Sequence, residues 1–249
     1  MMNRSLRSFG AFCLLVGSLA SSPASFAHSP VDFLEVIRVK PAQTIVHGVE
    51  TKSRYDSERK ESSLEGPDYF SRGIGAMKRA VKIPRAYMNW FAIKDATPQP
   101  KREVDVLDMV RGASSKRLQI GNAEFLISPS QLLTSGVPDA VPEGLDIYTA
   151  YQIHDGGSVE LKLDIESSLG KGKATVGKPI YLCMPTEEWH HDETFPVTHP
   201  NDCFVVYEID EQPTTSTFST IDQFGINELQ ASSVKWICVR AAFLRDKSK

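Results

Sequence analysis

The chain has 249 residues, of which 41% are hydrophobic and 9% aromatic, and its formal net charge is −3. That length supports one or two domains with real cores. The mild acidity argues against nucleic acid as a main partner, which calls for a strongly basic face.

The chain opens MMNRSLRSFGAFCLLVGSLASSPASFAHSP. Arg4 and Arg7 precede a short apolar run, Phe9 to Leu19, and Ser25-Phe26-Ala27 places small residues where a signal peptidase reads them. Residues 1–27 are therefore expected to be a secretory signal cleaved after Ala27. The run is too short for a membrane span, which needs about 20 apolar residues. Export to the periplasm or exterior follows, with no transmembrane segment in the mature chain. Loss of Arg4 and Arg7 leaves 26 basic against 31 acidic residues.

Residues 28–87 read as a less regular N-terminal segment. Val36, Ile37 and Val39, then Ile45 and Val46, suggest short strands or one strand pair. Residues 48–70 are charged and nearly free of aliphatic side chains, the composition of a polar linker or long exposed loop. Residues 71–87 concentrate Arg72, Lys78, Arg79, Lys82 and Arg85. Such a segment suits an anionic lipid or polysaccharide surface, or simply a solvated edge.

From residue 88 the chain repeats. Three segments open on alternating apolar positions: WFAIKD (90–95), AYQIHD (150–155) and VYEIDE (206–211). Three lead to an aspartate, at Asp108, Asp164 and Asp222. Three close on an aromatic-centred strand, with Phe125, Tyr181 and Trp236 spaced 56 and 55 residues apart. A period near 55 indicates one supersecondary unit used three times, at about 88–140, 146–190 and 199–245. Period-two alternation makes the segments strands with one buried face. Asp155-Gly156-Gly157 and Gly170-Lys171-Gly172 supply turns. The fold expected is all-β, three units packed as a barrel- or sandwich-like assembly, because one unit cannot bury its own apolar face.

Two phrases carry a resemblance. Gly177-Lys178-Pro179 with Leu182-Cys183-Met184-Pro185, and Tyr207 with Asp222-Gln223-Phe224-Gly225, resemble a repeated domain of unknown function in secreted proteins of planctomycete and myxobacterial type. Its copies run Cys-Tyr-Lys, Asp-Gln-Phe-Gly, Gly-Lys-Pro and Leu-Cys-x-Pro. The likeness covers residues 146–245 well and 88–133 loosely. Ala150 and Val206 stand where that family favours cysteine. The resemblance implies an exported β module and brings no activity with it.

The mature chain keeps Cys183, Cys203 and Cys238, an odd count for an oxidising compartment. Pairing of Cys183 with Cys203 would close a loop of about 20 residues, worth roughly 3 kcal/mol in the chain-entropy model. Cys203 with Cys238 is the alternative. No CxxC pair supports a redox centre or a cysteine zinc site.

The densest group of chemistry-bearing residues is the loop 189–199, with His190, His191 and His199 beside Asp192 and Glu193. Imidazole and carboxylate together suit zinc, copper or nickel. Neighbouring histidines on a strand point to opposite faces, so one of His190 and His191 would join His199. The competing reading is a polar loop between units. His28, at the new N-terminus, suits a copper brace, but the residues around it do not resemble the oxygenases that use one. GKATVGKP (172–179) lacks the Walker A hydroxyl, since Pro179 stands in its place. Asp108, Asp164 and Asp222 suit turn capping better than acid–base work. No nucleophile motif is present.

The function expected is a non-enzymatic exported β-repeat module, with no cofactor and an unknown protein or carbohydrate partner, its repeated aromatics lining the contact or packing in the core. The alternative is a metal-dependent exported enzyme using the His190–His199 loop.

Overall fold

The computed structural model describes residues 31–247, apart from 79–84, 113, 141–143 and 168–169. The expected signal and His28 lie outside the described residues. Within them every regular element is a strand: β1 (Phe33–Pro41), β2 (Ile45–Ser53), β3 (Lys60–Gly73), β4 (Gly75–Ala76), β5 (Tyr87–Ile93), β6 (Arg102–Asp108), β7 (Lys116–Thr134), β8 (Val137–Pro138), β9 (Tyr148–Asp155), β10 (Leu161–Ser167), β11 (Gly170–His190), β12 (Glu193–Phe195), β13 (Asp202–Asp222) and β14 (Gly225–Asp246). The all-β expectation holds, and one antiparallel sheet takes in nearly all of them.

The sheet closes on itself as a ring. β1, β3, β5, β7, β9, β11, β13 and β14 pair in that order, and β14 pairs back with β1. It is not a regular barrel, because the long strands run out of the ring. There β3, β7, β11 and β14 form hairpins with β2, β6, β10 and the second half of β13. These hairpins fold over the outside as a second layer.

Each unit is thus an opening strand, a hairpin and a closing strand, and the register is the same wherever it is compared. Phe91 faces Leu126, Tyr151 faces Leu182 and Tyr207 faces Ile237. Ile37 faces Phe70 in the same way. Tyr69 lies 56 residues before Phe125. The chain therefore carries a fourth unit, over residues 33–73. The polar linker expected at 48–70 is corrected: those residues form most of β2 and β3. Their charges lie on the outer side of a surface hairpin, and Val49 and Leu64 bury its inner side. Arg72 pairs with buried Glu35 and Arg85 lies 3.6 Å from Asp139, so two arginines of the basic segment are engaged. Arg79 and Lys82 lie outside the described residues.

Alternation divides the core. Side chains facing into the ring form one cluster, with Leu34, Val36, Met88, Trp90, Ile127 and Phe204 among them. Side chains facing outward are covered by the hairpins. The largest outer cluster packs Tyr151, Leu182, Tyr207 and Ile237 under Val104, Val106, Leu163 and Ile165.

The ring makes residues 33–73 indispensable. Protein begun at residue 87 leaves the edges of β5 and β14 without partners and opens the inner core. Its circular dichroism should show no cooperative melt, and it should aggregate through the bare edges. A monomeric fragment that melts cooperatively would contradict the closed ring.

Candidate functional site: the aromatic end of the ring

The repeated closing-strand aromatics meet. Tyr69, Phe125, Tyr181 and Trp236 point into the ring near one end and touch one another. Tyr69 and Trp236 lie 4.2 Å apart between centroids, Tyr181 and Trp236 5.4 Å, Phe125 and Tyr181 5.6 Å, and Tyr69 and Phe125 5.6 Å. Most of these contacts are edge-on, the arrangement ring quadrupoles favour. A register shift sits beside each aromatic. Such bulges re-aim side chains at the rim of a closed sheet. Trp90 is buried beneath them and its indole N–H donates to the Ser71 hydroxyl at 3.1 Å. Phe125 is buried, whereas Tyr69, Tyr181 and Trp236 are half-buried.

The residues opposite the four aromatics form the rim: Arg38, Ala92, Gln152 and Glu208. On the Gln152 and Glu208 side the rim opens into a groove of about 510 Å³, lined also by His154, Lys178, Tyr181 and Trp236. Two of its walls sit against glycines. A Cβ on Gly121 would lie 2.1 Å from His154 Nε2, and a Cβ on Gly156 would lie 2.2 Å from Pro179 Cγ. Only glycine lets these two side chains settle there. Lys178 and Pro179 belong to the Gly-Lys-Pro phrase noted in the sequence. Burial raises the Tyr181 phenol well above its ordinary pKa, aided by Glu124, to which its hydroxyl donates at 2.6 Å.

A second polar cluster lies on the outer side of the ring, under the β13–β14 turn. Asp222 Oδ1 accepts the Phe224 N–H at 2.9 Å, and Gly225 takes a φ of +115° that suits glycine. Gln223 reaches inward. Its Nε2 donates to both oxygens of Glu188 at 2.8 Å, and its Oε1 accepts from the Ser128 hydroxyl at 2.8 Å. Asn89 Nδ2 donates to Asp222 Oδ2 at 2.7 Å. The turn of the last unit is thereby clipped to β5, β7 and β11. Desolvation pushes the Glu188 carboxyl up to about 7 and Asp222 up to about 6. Neither Glu188 nor Gln223 carries a sequence motif of its own as a bonded pair; only the Asp-Gln-Phe-Gly phrase marks one partner.

The structure places His190 and His191 side by side and His199 apart from them. His191, with φ of 53°, starts a turn, so its ring falls back beside His190 at 4.1 Å instead of crossing to the other face. His190 joins His47 and Phe224, at 6.5 and 4.9 Å. Burial lowers the pKa of both His47 and His190. His199 is held elsewhere: its backbone N–H donates to Asp146 Oδ2 at 2.8 Å and its ring lies against the Thr198 hydroxyl. Among the described residues no three His, Cys, Asp or Glu side chains are grouped to hold a metal.

Cys183, Cys203 and Cys238 are buried free thiols. Cys183 and Cys238 face into the ring and Cys203 faces outward, so alternation sets Cys203 apart from either partner. Of the repeated aspartates, Asp108 caps a turn through the N–H groups of Val110 and Arg111, both at 2.9 Å, and accepts from Tyr207 at 2.9 Å. Asp222 caps as well. Asp164 is exposed in mid-strand, 3.8 Å from Lys173. Its equal spacing from the closing strand thus does not carry an equal role. No helix among the described residues is long and apolar enough to cross a membrane.

Fold and site define an all-β repeat protein built around an aromatic-ended ring. A family described as "Repeat of unknown function (DUF7450)" matches residues 87–240, which takes in the last three units, and the chain belongs to it. No curated protein and no solved structure matches the chain.

Two outcomes follow from the buried groups. Burial favours the protonated form of Glu188, so its contribution to stability is full below its ordinary 4.5 and fades as pH rises through about 7. Asp222 acts in the same sense between 3.8 and about 6. The melting temperature should fall between pH 5 and pH 8, with Glu188 costing about 3 kcal/mol across its window. Glu188→Gln should flatten that fall; an equal fall in both proteins would refute the assignment. A thiol reagent should find no reactive cysteine in the native mature protein and three after denaturation without reductant. Recovery of a single thiol would show that a disulfide forms.

Proposed function

We propose that the protein is an exported, non-enzymatic binding or scaffold module of the cell envelope or exterior, of the type found in secreted planctomycete and myxobacterial proteins. Its contact face is the aromatic end of the ring. The leader-like N-terminus supports export. The observation that carries the reading is the meeting of four repeat-equivalent aromatics, three of them partly exposed, beside an open groove. Core packing alone leaves little reason to keep Trp236 and Tyr181 at a solvent-open rim. Aromatic side chains that present large rigid surface are the usual anchors of recognition.

The test is co-sedimentation of the signal-free protein with washed, protein-stripped bacterial envelope material. The wild type should sediment, and Trp236→Ala with Tyr181→Ala should weaken the affinity about tenfold, equivalent to about 1.4 kcal/mol. Near-ultraviolet circular dichroism of the variant checks that the ring persists. A folded double variant that sediments like the wild type would remove the aromatic end from the contact.

A further inference from the structure

We propose that the groove at the aromatic end takes a neutral oligosaccharide, an inference that rests on reading this end as the contact face. Trp236 and Tyr181 offer apolar ring surface on which the C–H faces of a sugar can lie, and neighbouring rings brace both against rotation. Around them stand groups that both give and accept hydrogen bonds: the Gln152 amide, the His154 imidazole and the Ser158 hydroxyl. A sugar hydroxyl is also both donor and acceptor, so such a mixed lining matches a polyhydroxylated ligand. The volume of about 510 Å³ lies within the range of small-molecule sites.

Charge selects within the carbohydrates. Lys178 and Glu208 lie 3.7 Å apart and offset each other at the rim. The groove across the Asp155–Ser158 turn is different. It holds about 680 Å³ and gathers Arg111, Lys116 and Arg117 against Glu103 and Asp155. It has no aromatic lining, and its Arg111 is already engaged by the carbonyls of Gly156 and Gly157. Asp155 also borders the aromatic groove, which therefore lacks the net cationic lining an acidic glycan would need. Its walls are also set in advance. His154 rests on Gly121 and Pro179 on Gly156, which lowers the ordering cost of binding.

The probes are three neutral tetrasaccharides, of β-1,4-linked N-acetylglucosamine, β-1,4-linked glucose and α-1,4-linked glucose. Each is titrated into the signal-free protein by calorimetry and by tryptophan emission. At least one should bind with Kd on the order of 10⁻⁴ M, with little change between low and high salt. Trp236→Ala and Gln152→Ala should each weaken it about tenfold, while Trp236→Phe keeps most of the affinity. Binding only to acidic oligosaccharides, with steep salt dependence, would overturn the proposal. So would neutral binding that both alanine variants retain. If envelope binding needs Trp236 but none of the three sugars titrates, the sugar assignment falls and the contact face stands. If envelope binding ignores the aromatic variants, the contact face itself falls.

Discussion

Everything in this molecule depends on one register. Each closing strand lies between two opening strands, its own and that of the next unit around the ring. Trp236 faces Glu208 within its unit and Val36 across the closure; Tyr181 faces Gln152 and Val206; Phe125 faces Ala92 and Ala150; Tyr69 faces Arg38 and Trp90. A slip by one residue anywhere would turn a strand's inner side chains out. The aromatic layer and the inner core are then consequences of the same pairing, and closure removes the free edges a four-unit sheet would otherwise expose.

The ring also explains how a chain with modest units holds together. No unit could bury its apolar face alone, and each is covered twice, inside by its neighbours and outside by hairpins. The last hairpin makes polar contacts to two other units. Its Asp-Gln-Phe-Gly turn ends in a buried network with Glu188, Ser128 and Asn89, three residues from other units. Buried polar groups are tolerated there because they are bonded to one another. The same turn carries part of the family resemblance, so one phrase visible in the sequence locks the C-terminal unit to the two units before it.

Much of the fold was legible in the sequence, and the misses have physical causes. The period near 55 was plain from residue 88 onward because Phe125, Tyr181 and Trp236 sit in alternating apolar strands. Tyr69 carries the same spacing, but its flanks hide it. Its hairpin lies on the surface, so composition reports solvent exposure there and not loss of pairing. Glu65-Gly66-Pro67-Asp68-Tyr69-Phe70 against Gly177-Lys178-Pro179-Ile180-Tyr181-Leu182 was the available signal. The histidine placements were hidden because the strand rule ends where the strand ends: His191 is in a turn. For the cysteines the strand rule does apply, and it sets Cys203 on the face opposite Cys183 and Cys238. The rim was half legible. Its aromatics repeat, whereas Gln152, His154 and Glu208 acquire meaning only once the ring brings them together.

The most direct test of this account is proton–proton contact among the four aromatics in solution. With ring-labelled Tyr, Phe and Trp, nuclear Overhauser effects should link Tyr69 to Trp236, Tyr181 to Trp236 and Phe125 to Tyr181, whose centroids lie 4.2, 5.4 and 5.6 Å apart. Assigned, well-ordered ring signals with none of these cross-peaks would contradict the shared register and the ring built on it.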